Sequence, residues 1–336
     1  MLSVLSFRRE SQTVAAKSDD AAPRPHVPTI GLALGAGAAR GWAHIGIMRV
    51  LEREGIRPKI LTGTSIGAVV GGSWAAGCLD QLELFARRLT KRGVFGLMDL
   101  SLSGTGLVGG RKLRDMLEEA LRDRTIENLP TRFAAVATEY GSGHEIWLSR
   151  GHLVTAMRAS YAIPGVFEPV KVAGRWLLDG AMVNPIPITT ARAMGADLVI
   201  AVNLHSELLG RGTVIPDHSA EKPHEPPVEP NSGGFLRPVR DAANAMSQYF
   251  SAPKSGPSGA PSIAQVMIDT INITQDRIAR SRLAGDPPDV MIAPKLARIG
   301  LFEFHRAEEA IAIGAEAAER MLPEIRDVFA SLAERR

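Results

Sequence analysis

Between residues 29 and 76 the chain twice passes from a short apolar run into a longer helix-forming segment, and this alternation restricts the fold more than any other feature. Thr29-Ile30-Gly31-Leu32-Ala33-Leu34 reads as a short buried strand and 39–54 as a helix; 59–62 reads as the next strand and 66–76 as the next helix. Strand–helix–strand–helix order predicts a parallel sheet covered by helices, since each crossover carries the chain back along the sheet. The pattern continues with a helix over 111–121, strands over 133–137 and 145–148, and a helix over 153–160. A hairpin of 167–172 and 176–178, turning at Ala173-Gly174, is followed by a helix over 188–194 and a buried strand over 197–202. The expected class is α/β, a three-layer α/β/α sandwich with a mainly parallel central sheet.

Beyond Leu204 the composition changes. Nine of the 22 prolines lie between Pro216 and Pro261, among Ser, Gly, Glu and Lys, which cannot supply a core. The expected organisation is a disordered leader over 1–28, a domain core over 29–204, a flexible insertion over 205–262, and a C-terminal part over 263–336 that completes the domain. That last part reads as a helix to about residue 283, a strand over 289–292 and a long helix from His305. Inside the insertion, Val239, Ala243, Met246 and Phe250 fall at helical spacing, either a short docked helix or a lid that meets lipid.

Composition excludes several classes. A formal charge of +3 with scattered basic residues offers no nucleic-acid surface, though it suits contact with anionic lipid. The single cysteine, Cys78, permits no intramolecular disulfide and no cysteine-rich metal site; among small residues it reads as a buried filler. No run of 18 apolar residues offers a membrane span, and Arg8, Arg9 and Glu10 after a mildly apolar start disfavour a secretory signal. The expectation is a cytoplasmic protein, with peripheral contact at the inner membrane surface as an option.

Three segments, each closing an apolar run, carry the chemistry. Gly35-Ala36-Gly37-Ala38-Ala39-Arg40-Gly41 follows the first strand and opens a helix, so its backbone N–H groups could hold a phosphate or an oxyanion. Gly63-Thr64-Ser65-Ile66-Gly67 has the form of a nucleophile elbow, although chance alone supplies G-x-S-x-G about 0.2 times in such a chain. Asp179-Gly180-Ala181 ends a strand, where the carboxylate serves equally well as a turn residue or a catalytic one.

In this order the three segments resemble the motifs of the patatin-like phospholipase family: a glycine-rich oxyanion loop with a basic residue, a G-x-S-x-G elbow and a D-G-A/G motif. Ala159-Ser160-Tyr161-Ala162-Ile163-Pro164-Gly165-Val166-Phe167 and His305-Arg306-Ala307 extend the similarity. Ala36 departs from it, standing where many members carry glycine. The resemblance implies a cofactor-free serine acyl hydrolase of the phospholipase A or lysophospholipase kind, acting on fatty-acyl esters or phospholipids. Ser65 would be the nucleophile, Asp179 its base, and the N–H groups of Gly37 and Ala38 the oxyanion hole. An acyltransferase with the same nucleophile, or a non-catalytic lipid-binding protein, are the alternatives. A free aspartate, pKa about 3.9, is a feeble base near neutrality, so the site must desolvate Asp179 or load the oxyanion hole.

The other candidates weigh less. His44, three residues past Gly41, falls within the first predicted helix and reads as a packing residue; His144, His152 and His305 have no metal-site spacing. Gly104-Thr105-Gly106-Leu107-Val108-Gly109 matches a dinucleotide fingerprint in form, but lacks a buried strand before it and an acid at the right distance. Arg40 could bind a phosphate headgroup or brace its own loop. Trp42, Trp74, Trp147 and Trp176 are too dispersed for a stacking platform and read as core and rim residues.

Overall fold

A computed structural model describes residues 27–97, 111–206 and 263–334. Most of the expected leader, nearly all of the insertion with its 239–250 helix, and the 104–109 glycine motif lie outside the described residues. Among the described residues eight strands form one sheet: β1 (Ile30–Leu34), β2 (Ile60–Thr64), β3 (Arg132–Glu139), β4 (Glu145–Leu148), β5 (Val170–Val172), β6 (Arg175–Asp179), β7 (Leu198–Val202) and β8 (Val290–Ile292). Their order is β5-β6-β3-β2-β1-β7-β8, with β4 also paired to β3. The run β3-β2-β1-β7-β8 is parallel, whereas β4 and β6 run antiparallel to β3. The chain leaves β1 toward β2 and leaves β7 toward β8, in opposite directions, so the switch point of the sheet lies between β1 and β7. Ligands of open parallel sheets bind beyond such a point.

Helices α1 (Ala43–Arg53), α2 (Ile66–Ala75), α3 (Leu79–Arg88), α4 (Lys91–Leu97), α5 (Arg111–Leu121), α6 (Leu153–Ser160), α7 (Ile188–Ala193), α8 (Ile263–Gly285) and α9 (Ala307–Glu334) cover the sheet. Alternation along the strands sorts the core into two layers. Leu32 and Leu34 of β1, with Leu198, Ile200 and Val202 of β7, face one cluster, which Ile45 and Ile47 of α1 and Ala310 and Ala317 of α9 complete. Ala33, Ile60, Val199 and Ala201 face the other, closed by Ile188 and Ala191 of α7 and Ala279 of α8. Helices α1 and α9 touch backbone to backbone: a Cβ on Gly314 would overlap the Ala43 carbonyl oxygen.

Local differences from the expectations have physical causes. The first predicted helix opens as a 3-10 turn over Ala38–Trp42, because Ala38 adopts φ 47° and Arg40 N–H bonds back to Gly37 O at 3.1 Å. The hairpin's first strand starts only at Val170, since Pro169 has no N–H to give to a ladder. Ala173 and Gly174 both take positive φ, 47° and 83°, as a two-residue hairpin turn requires. Helices α3 and α4 occupy a stretch where the alternation predicts no element. Cys78 is buried beside α3, as a filler residue would be.

Candidate active site

Ser65 is the one residue between β2 and α2, and it holds φ 57° and ψ −123°. That conformation is costly for a residue with a Cβ, so neighbouring contacts must enforce it. Ser65 N–H donates to Ser160 Oγ at 2.9 Å, and Ser160 Oγ–H donates to Val136 O at 2.6 Å, tying the elbow to α6 and β3. Thr64 Oγ1 donates to Asn184 O at 2.8 Å from the other side. On α2, Gly67 lies so close to β1 that a Cβ would overlap Leu34 O. Gly63 is the penultimate residue of β2.

Asp179 ends β6 and is buried. Its N–H donates to Ala162 O at 2.9 Å and its carbonyl accepts from Thr138 Oγ1 at 2.8 Å, fixing the backbone. Its Oδ2 accepts from Ser65 Oγ at 2.6 Å, and its Oδ1 from Ala181 N–H at 2.8 Å within the 3-10 turn Gly180–Met182. Burial pushes the Asp179 carboxyl up to about 7, with the hydrogen bonds from Ser65 and Ala181 pulling the other way. No cation is among the causes. A carboxylate poised near neutrality is matched to proton transfer at that pH.

The loop after β1 sits at the switch point. Gly35 N–H donates to Val202 O at 3.2 Å, Ala36 N–H to Pro185 O at 2.9 Å, and Ala39 N–H to Leu301 O at 2.9 Å. The N–H groups of Gly37 and Ala38 have no partner among the described residues, and both residues line a small open cavity together with Ser65. Ala36 avoids the left-handed region, so its methyl group is accommodated. Gly41 packs against Ile66, joining the loop to α2. Arg40 is buried and its Nε donates to Ile299 O at 2.7 Å, which braces the loop against the chain entering α9.

His44 lies beneath the same loop, fully buried, with Nε2 2.8 Å from Gly35 O. Burial lowers its pKa to about 4, so the ring is neutral at pH 7 and its N–H donates to that carbonyl. His44→Ala is therefore expected to cost roughly 2 kcal/mol of stability, from a cavity and an orphaned carbonyl. The same variant should keep ester turnover within about tenfold of the parent. Melting curves and an esterase assay on one preparation check both. His144 is exposed, His152 caps α6, and His305 lies in the 3-10 turn Phe304–Arg306. Among the described residues no cluster of His, Cys, Asp and Glu could hold a metal ion.

Ser160 and Gln275 belong to the site although neither was assigned a role from sequence. Ser160 stands within the run from Ala159 to Phe167, but its bond to the Ser65 N–H joins residues 95 apart in the chain. Ser160→Ala should destabilise the fold by about 1–3 kcal/mol, the cost of leaving a buried donor unpaired. It should also lower kcat more than it raises KM, because the elbow loses its anchor; thermal melts and steady-state kinetics measure the two effects.

A second, larger cavity opens from Ser65 and is almost wholly apolar, lined among others by Trp42, Leu82, Phe85, Leu89, Phe167 and Phe304. Trp42 is core, as expected; Trp147 and Trp176 are exposed rim residues, and Lys171 lies over Trp176 at 5.5 Å. Among the described residues no helix is long and apolar enough to cross a membrane.

The family model of patatin-like phospholipase matches residues 32–192. An NTE family protein of Mycobacterium tuberculosis is 36% identical over 330 residues, covering 88% of this chain and 91% of its own. The lysophospholipase nte1 of Emericella nidulans is 25% identical over 291 residues, which is 85% of this chain but 17% of that much longer protein. VipD of Legionella pneumophila, a solved structure, aligns over 89% of this chain and 67% of its own at 14% identity and a TM-score of 0.41, too distant to bear on the assignment. With its mixed α/β sheet flanked by helices and near full-length similarity to NTE family proteins, the chain belongs to the patatin-like phospholipase family.

Proposed function

We propose that the protein is a serine acyl hydrolase of long-chain lipid esters, lysophospholipids and phospholipids among them, working through a Ser65–Asp179 dyad. The observation that carries this reading is the 2.6 Å hydrogen bond from Ser65 Oγ to a buried Asp179, set at the mouth of a large apolar cavity. Asp179 Oδ2 takes the Ser65 proton as Oγ attacks the ester carbonyl carbon, and the negative charge moves to the carbonyl oxygen. The N–H groups of Gly37 and Ala38 receive that oxyanion; one such donor is worth about 10²–10³ in rate. The tetrahedral intermediate collapses, the ester C–O bond breaks, and Asp179 returns the proton to the leaving alcohol. Water repeats the sequence on the acyl-enzyme, releasing fatty acid and regenerating Ser65.

The apolar cavity suits an acyl chain, since each buried methylene contributes about 0.8 kcal/mol. Peripheral contact with a lipid surface, from a cytoplasmic location, belongs to the same reading. Tyr140, Trp147 and Trp176 are exposed, with Lys171 beside Trp176, and amphipathic aromatic and basic side chains favour the membrane–water boundary. The relatives named lysophospholipases support an ester with a single chain. Fatty-acid release from a panel of lysophospholipids and diacyl phospholipids, by the parent and by Ser65→Ala and Asp179→Asn, tests the reading. Release by the parent alone is expected; equal release by all three would overturn it.

A further inference from the structure

The two cavities that meet at Ser65 differ in chemistry. The larger offers an acyl chain almost nothing polar, so in the proposed reaction the leaving alcohol falls to the smaller one. Residues of the oxyanion loop, Ile163, Val166, Leu301 and Phe302 line that smaller space, with Ile271 and Gln275 entering from α8. Among the described residues on its wall, Gln275 carries the one polar side chain besides Ser65.

Gln275 is 6% exposed, and its amide, which makes no hydrogen bond among the described residues, keeps its remaining access on the wall of this cavity. An amide facing an otherwise apolar wall with no protein partner can hydrogen-bond only to what enters the cavity, so a group placed this way is poised for a ligand. Helix α8 is held in place independently of Gln275. Arg282 Nη2 donates to Glu145 Oε2 at 2.9 Å, and Glu145 Oε1 accepts from Asn184 Nδ2 at 2.8 Å, linking α8 to β4 and to the segment after Asp179.

We propose that Gln275 recognises the leaving alcohol, through a free hydroxyl on the carbon next to the esterified one. The amide offers both a donor and an acceptor, and a hydroxyl is likewise both. Being neutral, it has no charge to pair with a phosphate. The ligand class is thus an acyl ester of a polyol with a vicinal free hydroxyl, such as a glycerol backbone carrying one chain. This rests on the acyl-hydrolase reading and assigns a specificity-determining residue to it.

The test compares 1-palmitoyl lysophosphatidylcholine with its 2-deoxy analogue, which keeps the ester, the chain and the headgroup. For the parent, kcat/KM should favour the hydroxyl-bearing substrate by about tenfold, the worth of one buried hydrogen bond. Gln275→Leu and the volume-conserving Gln275→Met should lose that preference, turning over the deoxy ester as the parent does. The deoxy ester thereby also reports that the variants are folded. A preference that survives in both variants, or an equal fall on the two substrates, overturns the assignment of Gln275 and leaves the esterase intact. Absence of turnover of either ester by the parent overturns both.

Discussion

Ser65→Ala is expected to lower kcat/KM for acyl-ester hydrolysis by about 10⁴–10⁶-fold, the range in which loss of a serine nucleophile leaves only binding and oxyanion stabilisation. The expectation is steep because nothing else among the described residues near the site can take over. Among the described residues, Ser65 is the only nucleophilic side chain on the walls of either cavity apart from the buried Tyr161 phenol, whose pKa burial pushes up. Stability should fall by about 1–3 kcal/mol, because Asp179 Oδ2 loses its Ser65 donor while the Ser160 anchor on the Ser65 N–H is kept. Turnover and melting temperature of the same preparation check the pair of outcomes. An inactive but well-folded variant is predicted; one that keeps a tenth of the parent activity contradicts the assignment.

Asp179→Asn is expected to cost about 10³–10⁴-fold in kcat, since an amide can hold the Ser65 hydroxyl but cannot accept its proton. The parent's activity should rise with pH on a limb centred near 7, where Asp179 ionises, and this limb should vanish from the variant's residual rate. Stability should respond in the opposite sense. The carboxyl titrates at about 7 in the folded chain and at an ordinary 3.8 when unfolded. Below about pH 4 both states are protonated and folding loses nothing. As pH rises from there toward 7, only the unfolded state releases its proton, so stability falls, by roughly 4 kcal/mol once both are ionised. Asn cannot ionise. The variant should therefore melt higher than the parent at pH 8, with the gap closing by pH 4. A gap independent of pH would show that burial does not strain the carboxylate.

Much of this site was legible along the chain because its parts are strand ends. Thr29 to Leu34, 59–62 and 197–202 are runs whose side chains are apolar on both faces, the mark of central parallel strands. Residues that follow such strands collect at one edge, which is where the Gly35–Gly41 loop and Ser65 lie; Asp179 ends an antiparallel strand, and its pairing with Ser65 across 114 positions came from the patatin-like resemblance, not from strand order. Contacts made by small polar groups deep in the fold were not legible. Ser160 reads as an ordinary helix residue until its hydroxyl is seen to bridge Ser65 and Val136. Which N–H groups of the loop stay unengaged depends on Val202, Pro185 and Leu301, none of them local. Gln275 lies on a helix whose buried stripe reads as core, and only the cavity gives its amide a meaning. Helix α3 is a different case: Leu79, Leu82 and Ala86 fall at helical spacing and are buried, so its signal was present in the sequence.

The central claim is that Ser65 attacks with Asp179 as its base. Both halves meet in the rate at which an acyl-chain phosphonate ester labels the protein, followed by mass spectrometry across pH. The predicted result is one adduct, on the peptide bearing Ser65, forming at a rate that rises through pH about 7 and absent from Ser65→Ala. An adduct on any other residue, or equal labelling of Ser65→Ala, would contradict it.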